Sequence, residues 1–274
     1  MALQEPEILR LFNALDQWTP ERLPSTGSLS RLVTSLNTAI GAVVPETEVV
    51  LFATGAVEMW RRALYTLILA AMLQDVNVSW GCVAGYYASH YCVRAFAQLF
   101  GYFAVYRHRV FVEVSPYGGT YRCNRVQPLS NQMRREHRFY WAMIKRQPRF
   151  DQDRLFTTND DRVSLSDSAH RGFASYADHL YENFRPYPAI ERSQLRARLI
   201  DLATTSLSGE DSMPIPDRDE YPDLVTVLSV AYLRIYRFRE YLDELLPAGG
   251  GRFWKTHRSP TWSIDLFHFP PRPN

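Results

Sequence analysis

Lysine, paired cysteine and long apolar runs are scarce in this 274-residue chain, and each shortage excludes a class of protein. The three cysteines, Cys82, Cys92 and Cys123, have no C-x-x-C spacing, so they predict neither a disulfide framework nor a zinc site. The most apolar run, 63–73, is too short to cross a bilayer and predicts a core helix. Because the first residues have no basic, apolar leader, we expect a cytoplasmic protein without membrane attachment.

The positive charge is carried almost entirely by arginine, since Lys145 and Lys255 are the only lysines among 31 basic residues. The net charge of +2 is too small to predict a general nucleic-acid or membrane-surface binder. The arginine bias fits either a GC-rich genome or a preference for planar guanidinium groups, which bind phosphate and carboxylate well. Composition leaves both explanations open.

The sequence motifs of several large enzyme classes are also absent. There is no G-x-x-x-x-G-K-S/T phosphate loop, no G-x-S-x-G nucleophile elbow and no H-E-x-x-H zinc motif. The P-Y-G-G stretch at 116–119 predicts a hairpin turn and not a phosphate loop. We therefore expect no metal and no cofactor.

Helical periodicity dominates the first third of the chain. Residues 1–54 are predicted to form an N-terminal helical extension, in which 6–18 and 28–40 have helical spacing. Residues 54–73 are apolar on almost every side, which is typical of a buried helix. Residues 78–103 predict a longer helix that is rich in aromatic side chains.

The periodicity changes between residues 103 and 126. A β-branched run at 110–114, the Pro/Gly turn and a second extended segment at 120–126 predict a β-hairpin inserted between helices. A helix is predicted again over 129–146, and a polar connection over 147–165.

Further helices are predicted over 166–184, 189–206 and 221–246. The last of these has apolar residues at alternating spacings of four and three, a seam that packs in a bundle. Residues 247–274 are rich in proline and aromatics and are predicted to lie along the surface. The fold class is therefore mainly α, an up-down helical bundle over 55–246 with one inserted β-hairpin.

One stretch of the second central helix resembles a family signature. Residues 85–95, G-Y-Y-A-S-H-Y-C-V-R-A, are similar to the second-helix signature of HEPN-type domains, typically A-Y-Y-A-M-F-H-A-A-R-A. His90 stands where the family usually has Phe, and Tyr91 where it often has His. The resemblance covers roughly 55–103 and implies a HEPN-like four-helix bundle. The matching residues are Tyr86, Tyr87, Ala88, Arg94 and Ala95.

HEPN relatives occur in prokaryotic antiviral defence and toxin–antitoxin systems, as metal-independent endoribonucleases or as inactive RNA-binding or partner-binding modules. The active members carry an Arg followed after four to six residues by a His, near the start of a late helix. Only Arg252 and His257 have this spacing here, after a triple glycine and with Phe253 at the usual polar position. The resemblance therefore favours a non-catalytic component that binds RNA or a protein encoded nearby. The alternatives are an endoribonuclease and a structural subunit of a homo- or hetero-oligomer.

Two Arg–His pairs are candidates for ribonuclease chemistry. His90 and Arg94 are i,i+4 neighbours, and Arg171 lies eight residues before His179. The His would transfer the proton of a 2′-hydroxyl or of the leaving oxygen, and the Arg would stabilise charge on the phosphate. A buried hydrogen-bond network is the alternative for the first pair, and a solvated helix face for the second.

Two stretches in which arginines alternate with aromatic rings are candidates for RNA binding. Rings stack on unpaired bases while guanidinium groups bind phosphates. The alternative is a helix with buried rings and solvated or paired arginines. The candidates are Arg134, Arg135, Arg138, Tyr140 and Trp141 in the first stretch, and Arg234 and Arg237 in the second.

Overall fold

The computed structural model describes residues 3–17, 40–73, 78–105, 110–126, 136–157, 224–246 and 251–258. This part of the chain is mostly helical and contains a small four-stranded antiparallel sheet. The mainly α fold class and the inserted hairpin are therefore confirmed. The helices predicted over 166–184 and 189–206 lie outside the described residues, as do residues 28–39 of the helix predicted over 28–40.

The described elements are, in chain order, α1 Glu5–Asp16, β1 Val43–Val44, α2 Glu46–Leu73, α3 Val78–Leu99, β2 Tyr102–Val105, β3 Val110–Tyr117, β4 Thr120–Arg125, α4 Glu136–Ile144, α5 Arg154–Thr157, α6 Leu224–Leu245 and α7 Arg252–His257.

Two predicted helix ends are wrong, each for a local reason. The helix predicted over 54–73 begins earlier, at Glu46, where the Pro45 carbonyl accepts from the N–H groups of Glu48 and Val49. Acidic residues in this first turn suit the positive end of the helix dipole. The helix predicted over 78–103 ends at Leu99, because Gly101 takes a positive φ of 84° and turns the chain into β2.

The chain divides into two compact units, and α2, α3 and α6 contribute residues to both. The first unit combines residues 1–60, 93–151 and 239–259, and the second combines 61–92, 152–238 and 260–274. The domain boundaries expected at 54/55 and 246/247 stay predictions.

The sheet of the first unit has the strand order β1-β4-β3-β2, all antiparallel. The predicted hairpin is confirmed as β3 and β4, which turn at Gly118 and Gly119, both with positive φ. The hairpin is not alone, since β2 pairs with β3 and the short β1 pairs with β4. A lone hairpin is only marginally stable in water, and these two strands extend it.

Aromatic rings fill the interior of the first unit. Phe96, Phe100, Phe150 and Tyr241 form a cluster with ring centroids 4.8 to 6.1 Å apart. Phe111 of β3 lies 4.3 Å from Phe139 of α4, so the sheet and this helix share the same core.

A short helix, α7, lies within the C-terminal tail, where the sequence analysis predicts no helix. It begins after Gly251, which has a φ of 72°, and it buries Phe253 and Trp254. The Asp16 carboxylate at the end of α1 accepts the backbone N–H groups of Arg252 and Phe253, at 2.9 and 2.8 Å. This cap comes from 236 residues earlier in the chain, so local sequence could not reveal it.

In the second unit, residues 61–73 of α2 and 78–92 of α3 form a helical hairpin, against which residues 227–228 of α6 pack. Gly85 sits at this packing point, since a Cβ there would lie 2.8 Å from Cγ1 of Val227. Gly85 therefore serves close helix packing.

Candidate functional site

The outer side of α2 in the second unit is apolar and exposed. Tyr65, Leu69 and Met72 are 50%, 38% and 45% exposed, and their spacing of four and three residues places them on one side of the helix. Trp80, near the start of α3, is 62% exposed. Exposed large apolar side chains that form a contiguous group mark interaction sites more often than isolated ones.

The facing side of α3 adds aromatic rings to this surface. Tyr87 and Tyr91 are half-buried and have ring centroids 6.1 Å apart. The guanidinium of Arg62, on α2, lies 5.1 Å from the ring centroid of Tyr91, which shows that the two helices run side by side at this level. We call this surface the hairpin face; it consists of Arg62, Tyr65, Leu69, Met72, Trp80, Tyr87 and Tyr91.

The sequence prediction that α2 is buried on all sides is wrong for this part of the helix. Leu64 and Leu67 are fully buried, whereas the outer residues between and beyond them are exposed. Because both sides of the helix are apolar, hydrophobicity gives the same signal for each. The spacing of Arg62, Tyr65, Leu69 and Met72 is the sequence feature that marks the outer side.

Arg62 is the charged member of the hairpin face, and the exposed Glu58 lies one turn before it on α2. Within 61–73 and 78–92, the charged side chains are Arg61 and Arg62. The rest of the surface is formed by neutral rings and aliphatic side chains.

The structure gives different aromatic partners to His90 and Arg94, the first candidate catalytic pair. His90 is 3% exposed in the second unit, and its ring stacks on Tyr86 with an interplanar angle of 5°. Arg94 belongs to the first unit, where its guanidinium lies 5.6 Å from the ring centroid of Tyr140. The burial of His90 places its imidazole away from solvent. The other pair, Arg171 and His179, lies outside the described residues.

Arg234 is an interior side chain of the second unit, with 1% of its surface exposed. Its Nε donates to the carbonyl of Leu155 at 3.0 Å, and its guanidinium donates to Ser89 Oγ at 2.9 Å. The Cys92 thiol donates to the Arg234 carbonyl at 3.1 Å, and burial raises the pKa of this thiol. This buried network uses Arg234 to join α3, α5 and α6.

Arg237, the other α6 candidate for RNA binding, is in an ion pair with Asp153 at 3.5 Å. Its side chain is 29% exposed. The guanidinium therefore already contacts a carboxylate within the second unit.

The first stretch of RNA-binding candidates is only partly described. In α4, Arg138 is exposed and Trp141 is half-buried, while Tyr140 is fully buried. The Tyr140 hydroxyl accepts the backbone N–H of Ala104 at 3.1 Å, which ties α4 to β2. Arg134 and Arg135 lie outside the described residues.

Arg252 and His257, whose spacing resembles the ribonuclease motif, are the first and last residues of α7. The Arg252 guanidinium donates to the carbonyl of Asp16 at 2.6 Å. His257 stacks on Phe253 at 4.2 Å, and its Nδ1 lies 2.7 Å from the Phe253 carbonyl. Arg252 and His257 are thus held by separate partners.

A cleft of about 280 Å³ lies in the first unit beside the start of α1. Arg149 forms ion pairs there with Glu5, at 3.4 Å, and with Glu244, and it lies 5.0 Å from the ring centroid of Tyr241. The cation of this cleft is therefore matched by two carboxylates of the same chain. The lining residues are Gln4, Glu5, Pro6, Phe100, Gln147, Pro148, Arg149 and Tyr241.

Two further observations concern ligands and membranes. Within the described ranges, no three His, Cys, Asp or Glu side chains come together in a group that could hold a metal ion. Among the helices that the structure describes, none has the length and apolarity to cross a membrane.

Compared with known proteins, the chain matches no family model, no curated protein and no solved structure. The functional conclusion therefore depends on the hairpin face and on the contacts that each candidate residue makes within the protein.

Proposed function

We propose that this protein is a non-catalytic, partner-binding component with a HEPN-like helical core, acting in a bacterial defence or toxin–antitoxin-type system. The observation that carries the partner-binding role is the hairpin face, where four large apolar side chains are 38 to 62% exposed on one helical hairpin. Burying such a surface against a partner is favourable at about 25 cal/mol per Å² of apolar area.

The HEPN-like part of the proposal is supported by the placement of the signature residues. Tyr86, Ala88 and Ala95 are buried, and Gly85 lies against α6. These residues organise packing between helices, which is what a fold signature is expected to do. The defence or toxin–antitoxin setting comes from the resemblance.

A protein suits the hairpin face better than RNA does as a partner. Affinity for RNA depends on several cations that contact phosphates, and among the residues of this face only Arg62 is a cation. Four of its residues are rings of the kind that stack on bases, whereas the aliphatic side chains of Leu69 and Met72 offer no such surface. They instead match the apolar centre of protein interfaces.

The proposal is tested by purifying tagged protein from the cells that naturally produce it, with and without ribonuclease. Leu69→Asp places a charge on the hairpin face, and Ile40→Asp is the matched control, since Ile40 is 41% exposed in the other unit. We expect a stoichiometric protein partner with the wild type and Ile40→Asp, insensitive to ribonuclease, and its loss with Leu69→Asp. Circular dichroism should show that Leu69→Asp stays folded.

Three outcomes would contradict this proposal. Equal recovery of the same proteins with Leu69→Asp and the wild type would exclude the hairpin face. A bound component that ribonuclease releases would favour the RNA-associated alternative. Cleavage of unstructured RNA in EDTA, abolished by His90→Ala, would favour the endoribonuclease alternative.

A further inference from the structure

The cleft beside the start of α1 contains a buried polar group that has no partner in the described part of the chain. Tyr241 lines this cleft and is 2% exposed, and its hydroxyl makes no hydrogen bond with the described residues. A buried hydroxyl without a partner is costly, because it loses the hydrogen bonds that it makes with water. A ligand that bonds to this hydroxyl would remove the cost.

The position of this hydroxyl is indicated by the charges that act on it. Burial raises the pKa of Tyr241, the carboxylate of Glu5 raises it further, and the guanidinium of Arg149 lowers it. Glu5 and Arg149 line the same cleft, so the hydroxyl lies near both groups. The effect of Glu5 exceeds that of Arg149, so the two charges together favour a positive charge beside the hydroxyl.

The carboxylates of the cleft outnumber its cations. Arg149 is in ion pairs with Glu5, at 3.4 Å, and with Glu244, so one guanidinium faces two carboxylates. Glu5 and Arg149 are the charged members of the lining. The positive end of the α1 dipole is met by Glu7, which accepts the backbone N–H of Gln4 at 3.0 Å. A cation therefore complements this cleft better than an anion does.

Apolar groups form much of the remaining lining. The rings of Phe100 and Tyr241 have centroids 5.9 Å apart, and Pro6 and Pro148 lie along the same cleft. Aromatic rings attract cations, and the Arg149 guanidinium already lies 5.0 Å from the centroid of Tyr241. The volume of about 280 Å³ is slightly smaller than that of pockets for drug-sized ligands, so the ligand has only a few carbon atoms.

We propose that this cleft binds a small organic cation, a primary ammonium or guanidinium group on a short aliphatic chain. The N–H groups of the ligand donate to the Glu5 carboxylate and to the Tyr241 hydroxyl, and its chain lies against Phe100. The hydroxyl is closed to water in the free protein, so Glu5 and Arg149, whose side chains are 50% and 43% exposed, change rotamer to admit the ligand. The site lies in the first unit and is separate from the partner binding proposed for the hairpin face.

The proposal is tested by NMR titration of the full-length protein with n-butylammonium and n-butylguanidinium. Butyrate and 1-butanol are the control ligands, since they combine an aliphatic chain with an anionic or a neutral end. We expect each cation to bind about tenfold more tightly than butyrate, because the cleft has an excess of carboxylate. The neutral alcohol should bind with an affinity between the two.

Two variants assign the binding to the cleft. Tyr241→Phe should weaken binding of n-butylammonium about tenfold, because a hydrogen bond to a charged group is lost. Its Tm should not fall, because the hydroxyl has no partner among the described residues of the free protein. Glu5→Gln should weaken binding about threefold, since this carboxylate is half exposed. The matched control is Glu48→Gln, an exposed acid in the first turn of α2, which should leave the affinity unchanged.

Three outcomes would overturn the proposal. Butyrate that binds as tightly as n-butylammonium, or no binding of either cation, would exclude a cation site. Affinity that is unchanged in both Tyr241→Phe and Glu5→Gln would place the bound cation outside the cleft. A lower Tm of Tyr241→Phe would show that the hydroxyl bonds within the protein. Leu69→Asp, which tests the hairpin face, should bind both cations as the wild type does, so the two proposals fail or stand separately.

Discussion

The inner and outer sides of α2 in the second unit both carry large apolar side chains, in opposite environments. Leu67 is fully buried, whereas Leu69, two residues later, is 38% exposed. Arginine shows a similar contrast in this unit, since Arg234 is an interior residue and Arg62 lies on the surface over Tyr91. Residue type alone therefore does not separate side chains that hold the fold together from those available to a partner.

The largest expected difference is between Leu67 and Leu69, in how far replacement by alanine lowers the free energy of unfolding. Leu67→Ala should lower the free energy of unfolding by about 2–5 kcal/mol, because it leaves a cavity in a close-packed interior. Leu69→Ala should cost less than about 1 kcal/mol, because its side chain is already in contact with water. Urea denaturation of both variants measures the difference, and equal losses would show that the outer side is packed like the inner side.

The two arginines provide the next comparison. Arg234→Ala should lower the free energy of unfolding by about 3 kcal/mol, because it removes two hydrogen bonds from a charged donor inside the protein. Arg62→Ala should cost about 0.5–1 kcal/mol, the value of an exposed cation–π contact. If Arg62→Ala proves the more damaging, the hairpin face is a structural contact and not a binding surface.

Gly85 tests how closely the inner side of α3 is packed. A Cβ at this position would lie 2.8 Å from Val227 and 3.0 Å from Leu228, so Gly85→Ala should cost about 1–2 kcal/mol despite the better helix propensity of alanine. Because the β-branched Val227 is stiff, the double variant Gly85→Ala/Val227→Ala should restore part of the loss. Additive losses in this cycle would mean that the two residues do not contact each other.

The dependence of stability on alkaline pH tests the interior of the first unit. It is the smallest of the expected effects near neutral pH. Burial raises the pKa of Tyr102 to about 12, with Glu113 adding to the shift, and burial also raises the pKa of Tyr241. Since unfolded tyrosine ionises near pH 10, the unfolded state loses its protons first. This contribution to stability is complete below pH 10 and falls as the pH rises toward 12.

Urea denaturation at a series of pH values measures this effect, with Tyr102→Phe as the control. The variant should show a flatter decline above pH 10, because its residue 102 no longer ionises. An identical decline in wild type and variant would assign the loss to other groups.

Periodicity and turn chemistry in the sequence were enough to predict several elements, including α1, α6 and the β3–β4 hairpin. Periodicity missed β1 and β2, because strands of two and four residues are too short to show a pattern and depend on pairing with distant residues. It also missed α7, whose N-terminal cap comes from Asp16. Such contacts are set by tertiary structure, which local propensity does not encode.

The candidate site was harder to predict than the fold. Arg234 and Tyr140 have the residue types expected of an RNA-binding surface, and both are buried in contacts within the protein. The exposed apolar residues of α2 were assigned to the core, because an apolar side chain on a largely apolar helix indicates burial in most proteins. In the sequence, the spacing that joins Tyr65, Leu69 and Met72 to Arg62 is a sign of the outer side of this helix.

Site-specific photo-crosslinking in the producing cell tests the hairpin face most directly. A photoreactive phenylalanine analogue replaces Leu69 in one variant and Ile40, the matched exposed position of the first unit, in another. We predict a covalent protein adduct from position 69 and none from position 40, with the adduct lost when Trp80→Asp is added. Adducts of equal yield from both positions, or none from position 69, would contradict the central claim that this surface binds a partner.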